Sequence, residues 1–118
     1  MQYLLLIADS EANEAKLTPE QNAARVAEYG KFTEDVQKSG KFVGANRLQP
    51  STTATTVRVR NGKAQTTDGP FAETREQLGG YYLIEAGDLD EAVKVAAKIP
   101  SAKSGSIEVR PIWPLPHT

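Results

Sequence analysis

The chain has 118 residues, 39% hydrophobic and 25% charged, so it is long enough for one hydrophobic core and too short for two. Its 14 Lys and Arg oppose 15 Asp and Glu, and a net charge of −1 gives no positive field for a nucleic acid or an anionic membrane. The absence of Cys excludes disulfides, thiolate metal sites and Cys nucleophiles, and it fits a reducing compartment. We therefore expect one soluble, cytoplasmic domain over residues 1–118, with neither nucleic acid nor membrane among its partners.

The first predicted element is a strand at Tyr3 to Ala8, which is apolar at every position. A sheet with one wet face would show alternation, so this strand should be buried on both sides. After a polar loop, Thr18-Pro19-Glu20-Gln21 supplies an N-cap, a helical first-turn proline and a capping-box Gln. A helix should run from there to a stop at Ser39-Gly40, with an inward stripe of Val26, Tyr29, Phe32 and Val36.

The middle of the chain predicts two strands and a hairpin. Phe42 to Gln49 forms one strand, and Thr55 to Arg60 forms another with alternating Val and Arg. Asn61-Gly62 tolerates the positive φ values of a type I′ turn, so Lys63 to Thr67 should fold back on the preceding strand. This hairpin is expected to be an excursion from the main sheet.

The last third predicts a strand, a helix, a strand and an arm. Tyr81 to Ala86 is nearly all apolar and should be central like the first strand. A capping-box pattern starts at Asp88, and the helix it opens should end before Pro100. Ser106 to Pro111 should close the sheet, and the proline-broken segment 112–118 should be an extended C-terminal arm. The inward stripe of the helix is expected to be Leu89, Ala92, Val93, Ala96 and Ile99.

The element order predicts an α+β fold of ferredoxin-like type, a split βαβ sandwich with an inserted β-hairpin. Right-handed crossovers place both helices on one side of an antiparallel sheet, so the other face, which carries Tyr81 and Leu83, would be a wet apolar patch. A second copy of the chain is the simplest cover, and we expect a homodimer.

The polar residues of that face mark a candidate small-molecule cleft, because a ligand site is typically apolar with a few convergent charges. Strand alternation groups Tyr81 with Glu85, and Glu108 with Arg110, while Arg47 and Arg58 are expected at the rim. The candidate ligand-binding residues are Arg47, Arg58, Tyr81, Glu85 and Arg110. The alternative is that these charges are ordinary strand-surface residues paired across the sheet.

Asp68 is the candidate catalytic residue, because an acid in a Gly-Pro turn beside Phe71 can be desolvated and act as a proton acceptor or substrate anchor. The alternative is an Asx turn, in which the carboxylate bonds its own backbone. The one His, His117, is penultimate, so no His-rich metal site or Ser-His-Asp triad can be built from internal residues. We predict no metal and no cofactor.

Segment 67–82, with the letters TDGPFAETREQLGGYY, strongly resembles the YCII-related family, in the branch named for its Asp-Gly-Pro-Phe motif. The resemblance extends to MQYLLL (1–6), ATTVR (54–58) and IEVRP (107–111), and so covers nearly the whole chain. It implies a dimer of the α+β barrel type in a bacterial cytoplasmic protein, often encoded beside extracytoplasmic-function sigma factors. It implies no established activity. A His-Asp pair proposed as the active site of related proteins has a counterpart here only on the Asp side, at Asp68.

These observations predict a dimeric small-molecule-binding or enzyme-like domain with a cleft near Asp68. The rival hypothesis is a non-catalytic interaction or regulatory protein linked to a sigma factor. A buried Asp68 that faces a cavity would favour the first hypothesis, and a filled cleft with an exposed apolar patch elsewhere would favour the second.

Overall fold

The computed structural model of the chain describes residues 1–115, so His117 and the end of the arm lie outside the described residues. Within them the fold is α+β and ferredoxin-like, as predicted. The strands are β1 Gln2–Asp9, β2 Phe42–Arg47, β3 Thr55–Arg60, β4 Lys63–Asp68, β5 Gln77–Glu85 and β6 Ser106–Pro111. The helices are α1 Glu11–Glu14, α2 Pro19–Lys38 and α3 Leu89–Ala96, with 3-10 turns at Ser51–Thr53 and Pro100–Lys103.

The main sheet has the strand order β2-β5-β1-β6, and every neighbouring pair is antiparallel. The two strands with apolar residues at nearly every position, β1 and β5, are the central ones, which confirms the prediction. Helices α2 and α3 both pack against one face of this sheet, because their buried residues share a single core with alternate residues of β1 and β5. That core consists of Tyr3, Leu5, Ile7, Phe32, Val36, Tyr82, Ile84, Ala86, Ala92, Ala96 and Ile99.

Helix α2 begins with the predicted capping box. The Gln21 N–H donates to Thr18 Oγ1 at 3.1 Å, and the Thr18 N–H donates to Gln21 Oε1 at 2.9 Å. Helix α3 begins at Asp88, whose carboxylate accepts from the Glu91 N–H at 2.9 Å. The Glu91 carboxylate accepts from the N–H of Gly87 at 3.2 Å rather than from that of Asp88, so the predicted N-cap is present but the capping box is not closed. Among residues 1–115 no helix is both long enough and apolar enough to span a bilayer. The caps predicted from the sequence therefore fix where both crossover helices start.

The prediction that three apolar helix residues face the core is wrong. Val26 is 63% exposed, because the inward position one turn before Tyr29 belongs to Arg25 and Val26 lies about 100° further around the helix. Leu89 and Val93 are about half exposed, since the inward line of α3 runs through Ala92 and Ala96 and leaves them at its margin. A 3.6-residue period identifies the helix but leaves the width of its buried stripe open.

The inserted hairpin β3–β4 forms a two-stranded sheet of its own, as predicted. Its turn residues have the positive φ values that a type I′ turn requires, 53° at Asn61 and 74° at Gly62. The short helix α1 falls in what the sequence predicted as a plain polar loop. Its Glu11 carboxylate accepts from the Ser51 N–H at 2.7 Å and from the Ser51 hydroxyl, and so ties the start of α1 to the segment before the hairpin.

Candidate functional site

The sheet face opposite the helices, called the free face below, carries an apolar centre with polar residues at its two sides. The register sets out two rows across β2, β5, β1 and β6. The first row is Asn46, Tyr81, Leu6 and Glu108, and the second is Gly44, Leu83, Leu4 and Arg110. The leucines of both rows are partly exposed, because no helix packs on this side. The predicted wet apolar patch is therefore present in the single chain.

The polar residues at the two sides of the free face are paired locally. On one side the Asn46 amide donates to the Tyr81 hydroxyl at 2.7 Å. On the other side the Arg110 guanidinium forms an ion pair with Glu108, two residues before it on the same strand. Because both charges are well exposed, this ion pair adds little stability and can be opened by a ligand at small cost. Tyr81 and Arg110 thus lie on one surface with three leucines between them.

Glu85, the third predicted binding residue of this face, lies at the end of β5. Its carboxylate accepts from the N-terminal ammonium of Met1 at 3.2 Å, and both groups are about half exposed. The charge of Glu85 is therefore partly compensated inside its own protomer. Strand alternation still places it on the same face as Tyr81, as predicted.

The structure does not bring Arg47 and Arg58 to the free face of the same protomer. Arg47 is exposed at the end of the edge strand β2, paired with Gly80, so it alternates with Asn46 and points away from the free face. Arg58 lies in the middle of the hairpin, opposite Gln65, in a different sheet. Neither guanidinium has a side-chain partner among residues 1–115.

Asp68 ends the hairpin, opposite Thr55, and is exposed. Phe71 is exposed as well, so the turn does not desolvate the carboxylate, and that expectation from the sequence is wrong. The turn after it is held by other groups: the Gly69 N–H donates to the Ala54 carbonyl at 2.7 Å, and the Thr56 hydroxyl donates to the Gly69 carbonyl at 2.8 Å. Gly69 has a φ of 102°, which an L side chain rarely adopts. Within residues 1–115 the Asp68 carboxylate has no hydrogen-bond or ion-pair partner, so the Asx turn considered from the sequence is absent. The carboxylate is free to meet a ligand or another chain.

A buried polar cluster on the helix side was not predicted from the sequence. The Asp9 carboxylate, at the end of β1, accepts from Arg25 Nη2 at 2.6 Å and from the Ser104 hydroxyl at 2.7 Å. The same guanidinium nitrogen donates to the Ser101 hydroxyl at 2.7 Å, and Ser101 also pairs with the Tyr29 hydroxyl at 2.5 Å. The cluster joins β1, α2 and the turn Pro100–Lys103.

Charge and burial act in opposite directions on this cluster. Burial by itself raises the pKa of Asp9, but the hydrogen bonds from Ser104, Arg25 and the Ser10 N–H, with the charge of Arg25, outweigh it and hold the pKa below its ordinary value of 3.8. Burial also raises the pKa of the Tyr29 hydroxyl, against smaller opposing effects of Ser101 and Arg25. Asp9 is therefore ionised and Tyr29 neutral near pH 7. Because these groups hydrogen-bond one another, we interpret the cluster as a structural link between β1, α2 and the turn Pro100–Lys103 rather than as a reaction centre.

The sequence did contain a signal for this cluster. Asp9 continues the two-residue period of Tyr3, Leu5 and Ile7, so it falls on the buried face of β1. Because a buried carboxylate needs a compensating partner, an Asp on the buried face of a strand predicts a cation on the helix that covers it. Close packing reinforces the site: a Cβ on Gly105 would lie 2.1 Å from the Ala8 carbonyl oxygen, so only glycine allows the chain to approach β1 there.

A concavity lies between α2 and α3, on the side of the molecule away from the predicted site. It is an open groove of about 660 Å³ with Phe32, Val36 and Val95 among the residues that line it. Two of its lysines are already in ion pairs, Lys31 with Asp35 and Lys41 with Glu91. None of the predicted site residues lines this groove. Nor do residues 1–115 contain a group of three or more His, Asp or Glu side chains that could hold a metal ion.

Comparison with known proteins identifies the family. The family model of the YCII-related domain matches residues 1–116. The chain belongs to the YCII-related family. A curated protein of Rhizobium meliloti (strain 1021), described as uncharacterized, is 36% identical over 114 residues, which cover 95% of this chain and 92% of that relative. The family predicted from the sequence is confirmed, while the assignment to its Asp-Gly-Pro-Phe branch stays a prediction.

Proposed function

We propose that this YCII-related protein is a homodimer whose two free faces enclose a cleft for a small molecule. The observation that carries the proposal is the apolar centre of the free face, flanked by Tyr81 on one side and Arg110 on the other. A ligand pocket is typically a mostly apolar concavity with a few polar groups that fix orientation. A single open sheet face does not enclose a ligand, so a second face is needed to form a cleft.

The residues of the free face define the chemical class of the ligand. Leu4, Leu6 and Leu83 favour an apolar or aromatic body, and Gly44 leaves room beside Leu83 because it has no side chain. The Arg110 guanidinium is a fork of donors that matches a carboxylate or phosphate, and Tyr81 can donate or accept a hydrogen bond. We therefore expect a small molecule with an apolar body and one anionic group.

The proposal assigns the remaining predicted residues to the rim. Asp68 supplies an unpaired carboxylate that anchors the ligand or accepts a proton. Arg58, on the opposite face of the hairpin, and Arg47, which points away from the free face, add positive charge only to the outer surface around the cleft. Glu85 lies on the free face and sets the polarity of the cleft near the N-terminus. Because Asp68 and Arg58 belong to the hairpin sheet, their access to a cleft requires a second chain or a bound ligand to bridge the gap.

A thermal-shift screen of small carboxylates and phosphates with apolar bodies tests the proposal, since binding to the native state raises the apparent stability. A hit on the wild type should be lost or weakened at least about tenfold in Arg110→Gln and Tyr81→Phe. Lys94→Gln is the matched control, because Lys94 is an exposed cation on α3, on the other side of the molecule. Hits that survive in both cleft variants, or that depend on Lys94, would contradict the assignment of the cleft.

The second candidate function is a non-catalytic interaction protein with a sigma-factor partner. The observation that favours it is Phe71, which follows Asp68 in the motif and is 83% exposed. An exposed aromatic side chain is a frequent anchor in protein interfaces. If this function is correct, Phe71→Ser should abolish binding to an extracytoplasmic-function sigma factor of the same organism, measured by calorimetry with purified proteins. Arg110→Gln should leave that binding unchanged.

A further inference from the structure

The hairpin β3–β4 has two different faces, both exposed to solvent. Val57 and Val59 lie on one face with Ala64, which is opposite Val59; we call these three residues the valine strip. Arg58, Arg60 and Lys63 alternate with them on the other face. Each valine is 60% exposed. Because a two-stranded hairpin is at best marginally stable in water without packing on one face, the valine strip needs a cover.

The body of the same protomer does not provide that cover. The Cα atoms span 48 × 47 × 18 Å, and 18 Å is about the thickness of one sheet with one layer of helices. The hairpin therefore adds no third layer: it extends sideways from the sheet rather than folding over either face. The radius of gyration is 16.4 Å, against about 13.5 Å for a globular domain of this length. The hairpin therefore projects beyond the rest of its own chain.

Trp113, near the start of the C-terminal arm, is a second exposed apolar side chain. The Ile112 N–H still donates to the Gln2 carbonyl at 2.9 Å, beside the start of β1, and the next residue, Trp113, is 88% exposed. The hairpin instead leaves the sheet at the other end of β1, where Asp9 pairs with Gln77. The two segments are thus about 26 Å apart along the strand direction, and the hairpin points away from Trp113.

A two-fold axis can stack the free faces of two chains so that their strands run in opposite directions. The end of the sheet from which one hairpin leaves then lies over the end of the partner's sheet that carries the C-terminal arm. Such an isologous interface makes the same contact twice. The surface area supports a second copy as the cover: the chain exposes 8573 Å², about 2300 Å² more than a monomer of this mass should. An excess of that size matches the area that obligate dimers bury.

We propose that in the homodimer each hairpin lays its valine strip on Trp113 of its partner's C-terminal arm. This inference rests on the homodimer of the proposed function. It adds that the hairpin of each chain contacts the C-terminal arm of the other, which we call the arm exchange. It also explains where the Asp68 carboxylate points, because Asp68 pairs with Thr55 and so shares the face of the valine strip. Each cleft then takes its leucine floor from one chain and its Asp68 from the other.

Engineered disulfides test this arrangement directly, because the chain contains no Cys of its own. The double variant Val59→Cys/Trp113→Cys should form a covalent dimer on mild oxidation, seen on a non-reducing gel. The two single variants are the controls and should remain unlinked. A covalent dimer from Val59→Cys alone would show that hairpins meet each other, and an internal disulfide in the double variant would place the strip on its own arm; either result overturns the proposal.

The emission of Trp113, the single tryptophan, gives a second measurement without cysteines. Acrylamide should quench the wild-type dimer weakly, and Val57→Thr/Val59→Thr should raise the quenching constant at least about twofold while sedimentation still reports a dimer. Val26→Thr, an equally exposed valine on α2, should change nothing. A dimer with a fully quenched wild-type Trp113 would overturn the arm exchange and leave the homodimer intact, whereas a monomer would overturn both.

Discussion

The two faces of the central sheet are made by the same strands but have opposite surroundings. On the helix side, alternate residues of β1 such as Leu5 are fully buried, and the one carboxylate there, Asp9, has three donors. On the free face the intervening residues Leu4 and Leu6 are partly exposed, and the unpartnered carboxylate Asp68 lies on a hairpin with uncovered valines. The contrast teaches that the helix side of the chain is packed and its polar groups are paired, whereas the free face and the hairpin leave apolar and charged groups exposed, so a ligand or partner should be sought there.

Leu83→Asp should give the largest effect, because it places a charge in the centre of the proposed interface. An uncompensated buried charge should cost about 4 kcal/mol of dimerisation free energy, roughly a thousandfold in Kd. Sedimentation at micromolar concentration should show a dimer for the wild type and a monomer for the variant. Val26→Asp adds the same charge to an exposed position on α2 and should leave the dimer intact. If both variants sediment alike, the free face is not the interface.

Substitutions at the neighbouring residues Leu5 and Leu4 compare the two faces of the sheet within one strand, because Leu5 lies on the helix side and Leu4 on the free face. Leu5→Ala should lower the free energy of unfolding by about 3 kcal/mol, because Leu5 is fully buried and leaves a cavity. Leu4→Ala should cost less than about 1 kcal/mol in the monomer, measured by urea unfolding after dilution below the dissociation constant of the dimer. At concentrations where the dimer forms, the cost of Leu4→Ala should rise. Equal costs at the two concentrations would mean that no second chain covers Leu4.

Asp9→Asn should remove about 2 kcal/mol of stability near pH 7, because it deprives Arg25 of its charged partner. Since the pKa of folded Asp9 is lowered from 3.8, its stabilisation is present above that pH and is lost as the pH falls through the folded pKa. Urea titrations at several pH values should therefore show the gap between wild type and Asp9→Asn narrowing below about pH 4. Lys38→Gln, which breaks the exposed pair with Glu34, should cost less than about 0.5 kcal/mol. A gap that widens with acid would contradict the ionised cluster.

Asp68 should give the smallest effect on stability and the sharpest effect on binding. Asp68→Asn and Asp68→Ala should each change the free energy of unfolding by less than about 0.5 kcal/mol, because the carboxylate has no partner among residues 1–115. Thr56→Val removes the hydroxyl that holds Gly69 and should cost about 1 kcal/mol. If both Asp68 variants also keep full affinity for a ligand found in the screen, Asp68 has no role in the site.

The sequence by itself determined the order of the strands and of the helices α2 and α3, the N-caps of those helices, the type I′ turn and the central position of β1 and β5. Each of these follows from local backbone preference or from the hydrophobic period of one segment, whereas the short helix α1 was missed. The sequence also grouped Tyr81 with Glu85 and Glu108 with Arg110, since alternation along a strand is local. Only the tertiary structure decided that Arg25 rather than Val26 faces Asp9, and that Asp68 and Arg58 lie in a separate sheet from Tyr81. Those facts depend on which surfaces meet across the fold, and pairings between distant segments are not encoded in the periodicity of either one.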